Sequence, residues 1–310
     1  MFSFDTLLQQ ILNGLVLGSV YALVALGYTM VYGILQLINF AHGEVLMIGA
    51  MVAVTLAPKL LAAGVPAPLV LVIIVLAAIP VCMLLSVTIE RVAYRPLRNA
   101  PRLAPLITAI GMSIVLQTVA MIIWKPSPIV FPDLLPNDPV PIFGASLAPK
   151  QILILVVASS LMAGLVLLVN RTKLGRAMRA TAENPRIAGL MGVNANRIVA
   201  ATFAIGAALA AVAGVLVALN YNIVHFSMGF IPGLKAFTAA VLGGIGNIAG
   251  AMLGGLLLGI IESLGAGYIG DLTGGFLGSH YQDIFAFAVL ILVLLFRPSG
   301  IMGERIADRA

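Results

Sequence analysis

Long intervals without charge constrain this chain more than any other feature. No Asp, Glu, Lys or Arg lies between Asp5 and Glu44, between Lys59 and Glu90, between Arg102 and Lys125, or between Lys150 and Arg171. The same holds from Arg197 to Lys235 and from Lys235 to Glu262. Each interval reaches the roughly 20 apolar residues that a helix needs to cross a bilayer core. The runs are continuously apolar rather than alternating, which argues against barrel strands. Only 9% of the 310 residues are charged, against about 25% in a soluble domain. That leaves too little polar surface to coat a water-soluble globule. The expectation is an all-α, polytopic helical membrane protein, with one transmembrane domain over residues 1–310. Met1 to Gln10 holds no Lys or Arg, and the apolar stretch after it is too long for a signal peptide, so it reads as the first membrane helix. Cys82 is the single cysteine, which allows no internal disulfide and suits a packing role.

The basic residues supply the topology. Most of them fall in three clusters: Arg91, Arg95, Arg98 and Arg102; Arg171, Lys173, Arg176, Arg179, Arg186 and Arg197; and Arg297, Arg305 and Arg309. Short loops rich in Lys and Arg stay in the cytoplasm, so the clusters mark the cytoplasmic face. They also account for the net charge of +6 without any nucleic-acid partner. Helices are expected near 68–90, 103–124, 150–170, 197–220 and 276–296, with two crossings before Lys59 and the N-terminus outside. Trp124 suits an outer interfacial anchor, and the proline-rich stretch 125–149 reads as an external loop. Parity then requires the apolar segment 235–265 to begin and end outside, through a re-entrant hairpin or a pair of short helices turning near Gly243, Gly244, Gly246 and Asn247. Irregular backbone at membrane depth is tolerated only inside protein or along a cavity. The total is about eight membrane segments, one of them broken. A weak internal repeat marks a second break: residues 31–49 align without gaps to 241–259, matching Val31/Val241, Gly33/Gly243, Ile38/Ile248, Ala41/Ala251, Leu46/Leu256 and Gly49/Gly259. Interrupted helices in internal repeats mark the pathway in many transporters.

Two polar segments stand out. The first, Asn39-Phe-Ala-His42-Gly43-Glu44, interrupts the longest apolar region. Asn39 is a suitable N-cap and Gly43 permits close backbone approach. Two readings stand side by side. Asn39, His42 and Glu44 satisfy one another and hold a kink, or the buried helix start receives the carboxylate of a substrate. Asn220, His225 and Glu262 are similar polar positions in weaker context. The second segment is the loop 171–197. Asn184 is a natural N-cap, Pro185 a natural first helical residue and Gly192 a natural stop. These predict a short helix from Pro185 to Met191, with Ile187, Leu190 and Met191 on one face and Gly189 leaving room for close approach. Arg179 and Glu183 flank it. That face suits either a protein partner or the lipid surface.

Enzyme motifs are missing. No Gly-Lys dipeptide occurs, so the chain has no Walker A phosphate loop. His42, His225 and His280 are too scattered for a metal motif, and no nucleophile motif is present. ATP-driven transport would need ATP and Mg on other subunits, and no cofactor is expected in this chain. An ion-coupled secondary transporter, with Glu44 and Glu262 carrying protons, and a passive channel are the competing classes.

The run Gly14-Leu-Val-Leu-Gly18 through Gly27-Tyr-Thr-Met-Val-Tyr-Gly33, followed by Ile38-Asn-Phe-Ala-His-Gly-Glu44, resembles the LivH-type permeases of high-affinity branched-chain amino acid transporters. So do Gly175-Arg-Ala-Met-Arg-Ala, Glu183-Asn-Pro, Ala239-Ala-Val-Leu-Gly-Gly-Ile-Gly-Asn247 and Phe296-Arg-Pro-Ser-Gly300. The resemblance covers essentially the whole chain. It implies a permease subunit of an ABC importer in the bacterial inner membrane, paired with a LivM-like second permease, two ABC ATPase subunits and a periplasmic amino-acid-binding protein. It also implies that Arg179 to Met191 form the segment that couples to an ATPase. Permeases for urea and short-chain amides share much of the pattern and remain an alternative for the substrate.

Overall fold

A computed structural model describes residues 4–303 of the chain apart from 99, 102, 137, 143 and 274–280. Arg102, His280, Arg305 and Arg309 therefore lie outside the described residues. Eleven α-helices are described: α1 (Phe4–Leu35), α2 (His42–Ala62), α3 (Ala67–Ile89), α4 (Leu103–Trp124), α5 (Pro149–Arg171), α6 (Lys173–Glu183), α7 (Pro185–Leu190), α8 (Ala195–Tyr221), α9 (Phe230–Gly243), α10 (Ile248–Leu272) and α11 (Gln282–Phe296). A π-helical turn, Glu90–Tyr94, prolongs α3. Seven helices are long and apolar enough to cross a bilayer, and α9 and α11 are shorter apolar helices. The chain is a multi-pass helical membrane protein. The expected broken segment is α9 and α10, joined by the turn 244–247.

The connections sort into two ends. At one end lie the start of α1 and the ends of α2, α4 and α8. Gln9 exchanges two hydrogen bonds with the backbone of Ser146, at 3.0 and 2.8 Å. Trp124 Nε1 donates to Thr55 Oγ1 at 2.7 Å. The proline-rich stretch gathers here in two small antiparallel pairs: β1 (Ile129–Val130) with β4 (Ile223–Val224), and β2 (Val140–Ile142) with β3 (Ala145–Leu147). At the opposite end lie the basic clusters. Glu90 is buried there between Arg95 and Arg98, and Arg98 reaches Asn196 Oδ1 at 2.6 Å. One buried carboxylate thus ties the loop after α3 to the first turn of α8.

Burial identifies the centre. In α1 and α8, 89% of the apolar window is buried, against 28%, 22% and 28% in α3, α4 and α5. Helices α1 and α8 are the hub, and α3 to α5 present apolar side chains such as Leu76, Leu84, Ile107, Ile122 and Leu167 outward. An apolar outer surface is stable only where lipid or another subunit replaces water. Helix α10 packs antiparallel to α1, with Gly14 and Gly18 of α1 against Gly255 and Gly259, the small-residue contact that lets helices approach closely in lipid.

Two helix starts lie inside the molecule rather than at its ends. His42 rests against Gly27 and against the Tyr28 ring, 5.0 Å between centroids. That level is about two turns, or ~11 Å, before the end of α1. The irregular segment 36–41 therefore turns back into the protein before α2 begins. Helix α9 starts at the same level, with Gly229 and Gly233 against Gly43. The two stretches aligned in the sequence share one backbone feature as well: Gln36 and its counterpart Gly246 both have positive φ, 53° and 98°. If basic loops set orientation, reporters fused after Arg98 or Asn184 are expected to read cytoplasmic and one after Asp138 external. A cytoplasmic signal at Asp138 would overturn the assignment of the ends.

Candidate functional site

In the Asn39–Glu44 segment the polar side chains find partners on other elements rather than on one another. Asn39 does not cap α2. Its Oδ1 accepts from the Tyr94 hydroxyl at 2.7 Å, and Ala41, without a side-chain bond, occupies the cap position. Nor do the side chains of Asn39, His42 and Glu44 bond one another. Glu44 Oε1 accepts from Ser113 Oγ at 3.0 Å and Gln117 Nε2 at 2.7 Å, both on α4. His42 is buried, and its Nε2 has no hydrogen-bond partner. Each polar group thus ties α2 to a different neighbour: Asn39 to the π-turn after α3, Glu44 to α4, and His42 into the seam of α1 and α8, where Gly27 and Gly206 leave room for its ring. Gly43 stands at a close backbone contact. A Cβ there would stand 2.5 Å from the Gly229 carbonyl oxygen and 2.9 Å from Gly233 Cα, so no larger residue fits between the starts of α2 and α9.

The turn after α9 carries the other predicted pathway residues. Asn247 caps α10, accepting from Gly250 N at 3.0 Å and donating to Met302 O at 3.0 Å. Gly243 O accepts from Met302 N at 2.9 Å, and Gly246 takes φ +98° beside open space. The 301–303 segment after α11 therefore closes over the end of α9. Gly243, Gly246 and Asn247 come together at the basic end, whereas Gly43 meets the opposite end of α9.

The loop after α5 follows the sequence reading closely. Thr172 caps α6 and Asn184 caps α7, its Oδ1 accepting from Arg186 N at 3.0 Å and Ile187 N at 3.1 Å. Pro185 opens α7, Met191 is its C-cap rather than its last residue, and Gly192 stops it with φ +85°. Ala188 packs inward, while Ile187, Leu190 and Met191 are 59%, 87% and 81% exposed. Glu183 and Gly189 are exposed as well. Arg179 is placed elsewhere than expected. It does not flank α7. Its Nη1 donates back to the Val169 carbonyl and, at 3.5 Å, to Asn170 Oδ1 at the end of α5.

One cluster was missed as a unit. Lys235, buried in the middle of α9, pairs with Glu262 of α10 and with Asp283 of α11, both at 2.6 Å. The Tyr21 hydroxyl donates to Glu262 Oε1 at 3.3 Å, and its ring lies 5.7 Å under the ammonium. A charge at membrane depth requires a partner. The signal in the sequence was Lys235 itself, the one charge in a run from Arg197 to Glu262. A lysine that merely bounded a membrane segment would have no need of two carboxylates. Cys82 is buried, with Sγ 3.4 Å from the Val45 carbonyl. Among the described residues no group of His, Cys, Asp and Glu is arranged to hold a metal.

The sequence profile of the family described as "branched-chain amino acid transport system / permease component" matches residues 10–294. The chain belongs to this family. It is 52% identical over 304 residues to the high-affinity branched-chain amino acid transport system permease protein BraD of Pseudomonas aeruginosa, covering 96% of each chain. Identity to the LivH permease of Escherichia coli K12 is 47% over 302 residues, again covering 96% of each. Identity to a probable LivH of Methanocaldococcus jannaschii is 31% over 313 residues, covering 95% of this chain and 92% of that one. No solved structure matches significantly.

The two polar constellations predict different losses. Glu44→Leu leaves the Ser113 and Gln117 donors unpaired and is expected to lower stability by about 1–3 kcal/mol, whereas Glu44→Gln keeps an acceptor and should lose less. Lys235→Met strands two carboxylates and should cost about 3–5 kcal/mol. Thermal unfolding in detergent ranks the three. Equal melting temperatures for wild type and Lys235→Met would remove the triad from the fold's supports.

Proposed function

We propose that this chain is one of two permeases of an ATP-driven importer that carries branched-chain amino acids across the bacterial inner membrane. The full-length similarity to BraD and LivH supports the substrate class. On this reading the basic end is cytoplasmic and the 125–149 end faces the periplasm, where a binding protein delivers the amino acid. A LivM-like permease covers part of the outward apolar surface. Two ATPase subunits, carrying ATP and Mg, dock at the basic end.

The observation that carries the ATPase contact is α7. It is a six-residue helix, far too short to be stable by propensity, yet it is capped at both ends by its own sequence. It presents Ile187, Leu190 and Met191 outward while Ala188 anchors it. An exposed apolar face on a locally fixed helix is a docking feature, because leaving it in water costs free energy that a groove recovers. The joint is short as well. Asn184 ends α6 and starts α7, and Arg179 binds α6 back to the end of α5. A push on α7 therefore reaches a membrane-spanning helix through one residue and one guanidinium.

Leu190→Ala is expected to remove about 1–2 kcal/mol of contact. Leu190→Asp, which would bury an unpaired charge, is expected to leave insertion and permease pairing intact while the ATPases are lost on purification or ATP-dependent uptake stops. A cysteine at Leu190 should crosslink to an ATPase subunit. Wild-type uptake by Leu190→Asp, with that cysteine freely labelled in the full complex, would move the coupling contact elsewhere.

A further inference from the structure

The basic end holds a cavity that the coupling reading does not use. It measures about 1060 Å³ and lies between the last turn of α1, α5 and α6, the 244–247 turn and the segment 298–303. A narrow arm of about 90 Å³ continues from it toward Thr29, and Gly33, Val169, Arg179, Gly246 and Ile248 line both.

The chemistry of the arm is specific. Arg179 is the one charged residue lining it among the described residues. No carboxylate pairs with Arg179 among the described residues, and the bonds described for it use Nη1 alone. Its Nε and Nη2 hydrogens form the fork that suits a carboxylate. Thr29 is 1% exposed, and its hydroxyl has no hydrogen-bond partner, an arrangement that buried polar groups rarely show without a missing ligand or water. The rest of the wall includes Met30, Ile34, Met178 and Ile248. A single water needs about 10–15 Å³ of such space, so an arm of about 90 Å³ holds more than one water and suits a small organic group.

We propose that the arm is a binding site for a free aliphatic α-amino acid, with the carboxylate between Arg179 and the Thr29 hydroxyl and the side chain against Met30, Ile34 and Met178. The α-ammonium points to the wide cavity, which Gln36 and Asn170 help to line. Among the described residues no acidic side chain lines either space, so a zwitterion is held there by its anionic end. The site rests on the transport reading and deepens it. Met178, Arg179 and Ala182 belong to α6, which Asn184 joins directly to α7. Movement of α7 therefore moves one wall of the site, and the arm is where the amino acid is held last before release.

The test uses the full transporter in vesicles with the basic end outward, without ATP. Ala182→Cys, exposed and on the wall of the arm, is placed in a Cys82→Ala background and labelled with a charged maleimide. Leucine at millimolar concentration should slow labelling about threefold or more, as expected for a weak release site. Leucinamide, which lacks the carboxylate, and inorganic phosphate should not. Arg179→Gln and the isosteric Thr29→Val should each raise the leucine concentration for half-protection by about fivefold, and Arg179→Lys should recover part of the loss. Unprotected labelling in a complex that still imports leucine overturns the site, as does equal protection by phosphate or leucinamide, or unchanged protection in Thr29→Val. Protection in a complex that imports no leucine supports the site and overturns the transport reading.

Discussion

A backbone amide or carbonyl at membrane depth has no water to turn to, and everything irregular in this protein is arranged around that constraint. The chain leaves the helix inside the molecule on the way from α1 to α2 and again on the way into α9. The first break is enclosed by the hub helices, and its groups find local partners: His42 N donates to the Asn39 carbonyl at 2.9 Å and Gln36 N to Tyr32 O at 2.8 Å. At the second, Gly233 N donates to the Gly229 carbonyl at 2.9 Å. The two starts then press backbone to backbone at Gly43, Gly229 and Gly233. The outward-facing helices α3 to α5 run unbroken over Ala67–Ile89, Leu103–Trp124 and Pro149–Arg171. Irregularity is confined to where protein surrounds it.

The same constraint governs the polar side chains. Glu44, Glu90, Lys235 and Glu262 are each buried and each is paired: Glu44, Lys235 and Glu262 across helices, Glu90 with Arg95 and Arg98 just after the turn it begins. Those pairings are directional where apolar packing is not. Glu44 and Thr55 of α2 are polar ties of α4, which is otherwise among the least enclosed helices. Lys235 draws α9, α10 and α11 together, and Arg98 joins the loop after α3 to α8. Apolar side chains decide that these helices lie in a membrane. A few charges and amides decide which helix lies beside which.

Much of this was legible in the residues because the determining physics is local. Charge-free intervals mark spans, Pro185 and Gly192 bracket α7, and Asn184 and Asn247 cap the helices they were expected to begin or border. What escaped was pairing across the fold. Nothing near Asn39 says that Tyr94, 55 residues away, takes its oxygen, and nothing near Glu44 points to Ser113. Arg179 looked like a flank of α7 because it is close in sequence. Its true partners lie at the end of α5, across a turn that Gly175 makes tight by packing against the Val169 and Leu168 carbonyls. Helix starts inside the bilayer were equally hidden. A break reads the same in sequence at any depth.

The lysine in the middle of α9 has a consequence for how the protein is made. A ribosome delivers Lys235 before Glu262 and well before Asp283. A 14-residue helix with an ammonium at its centre, worth about 2.5–3.5 kcal/mol against insertion, has no reason to enter lipid alone. Helix α9 therefore waits, at the translocation channel or at the membrane surface, until α10 and α11 arrive with their carboxylates. The last three helices enter as one unit, and the order in which the protein's charges are synthesised sets the step at which its C-terminal third is committed to the bilayer.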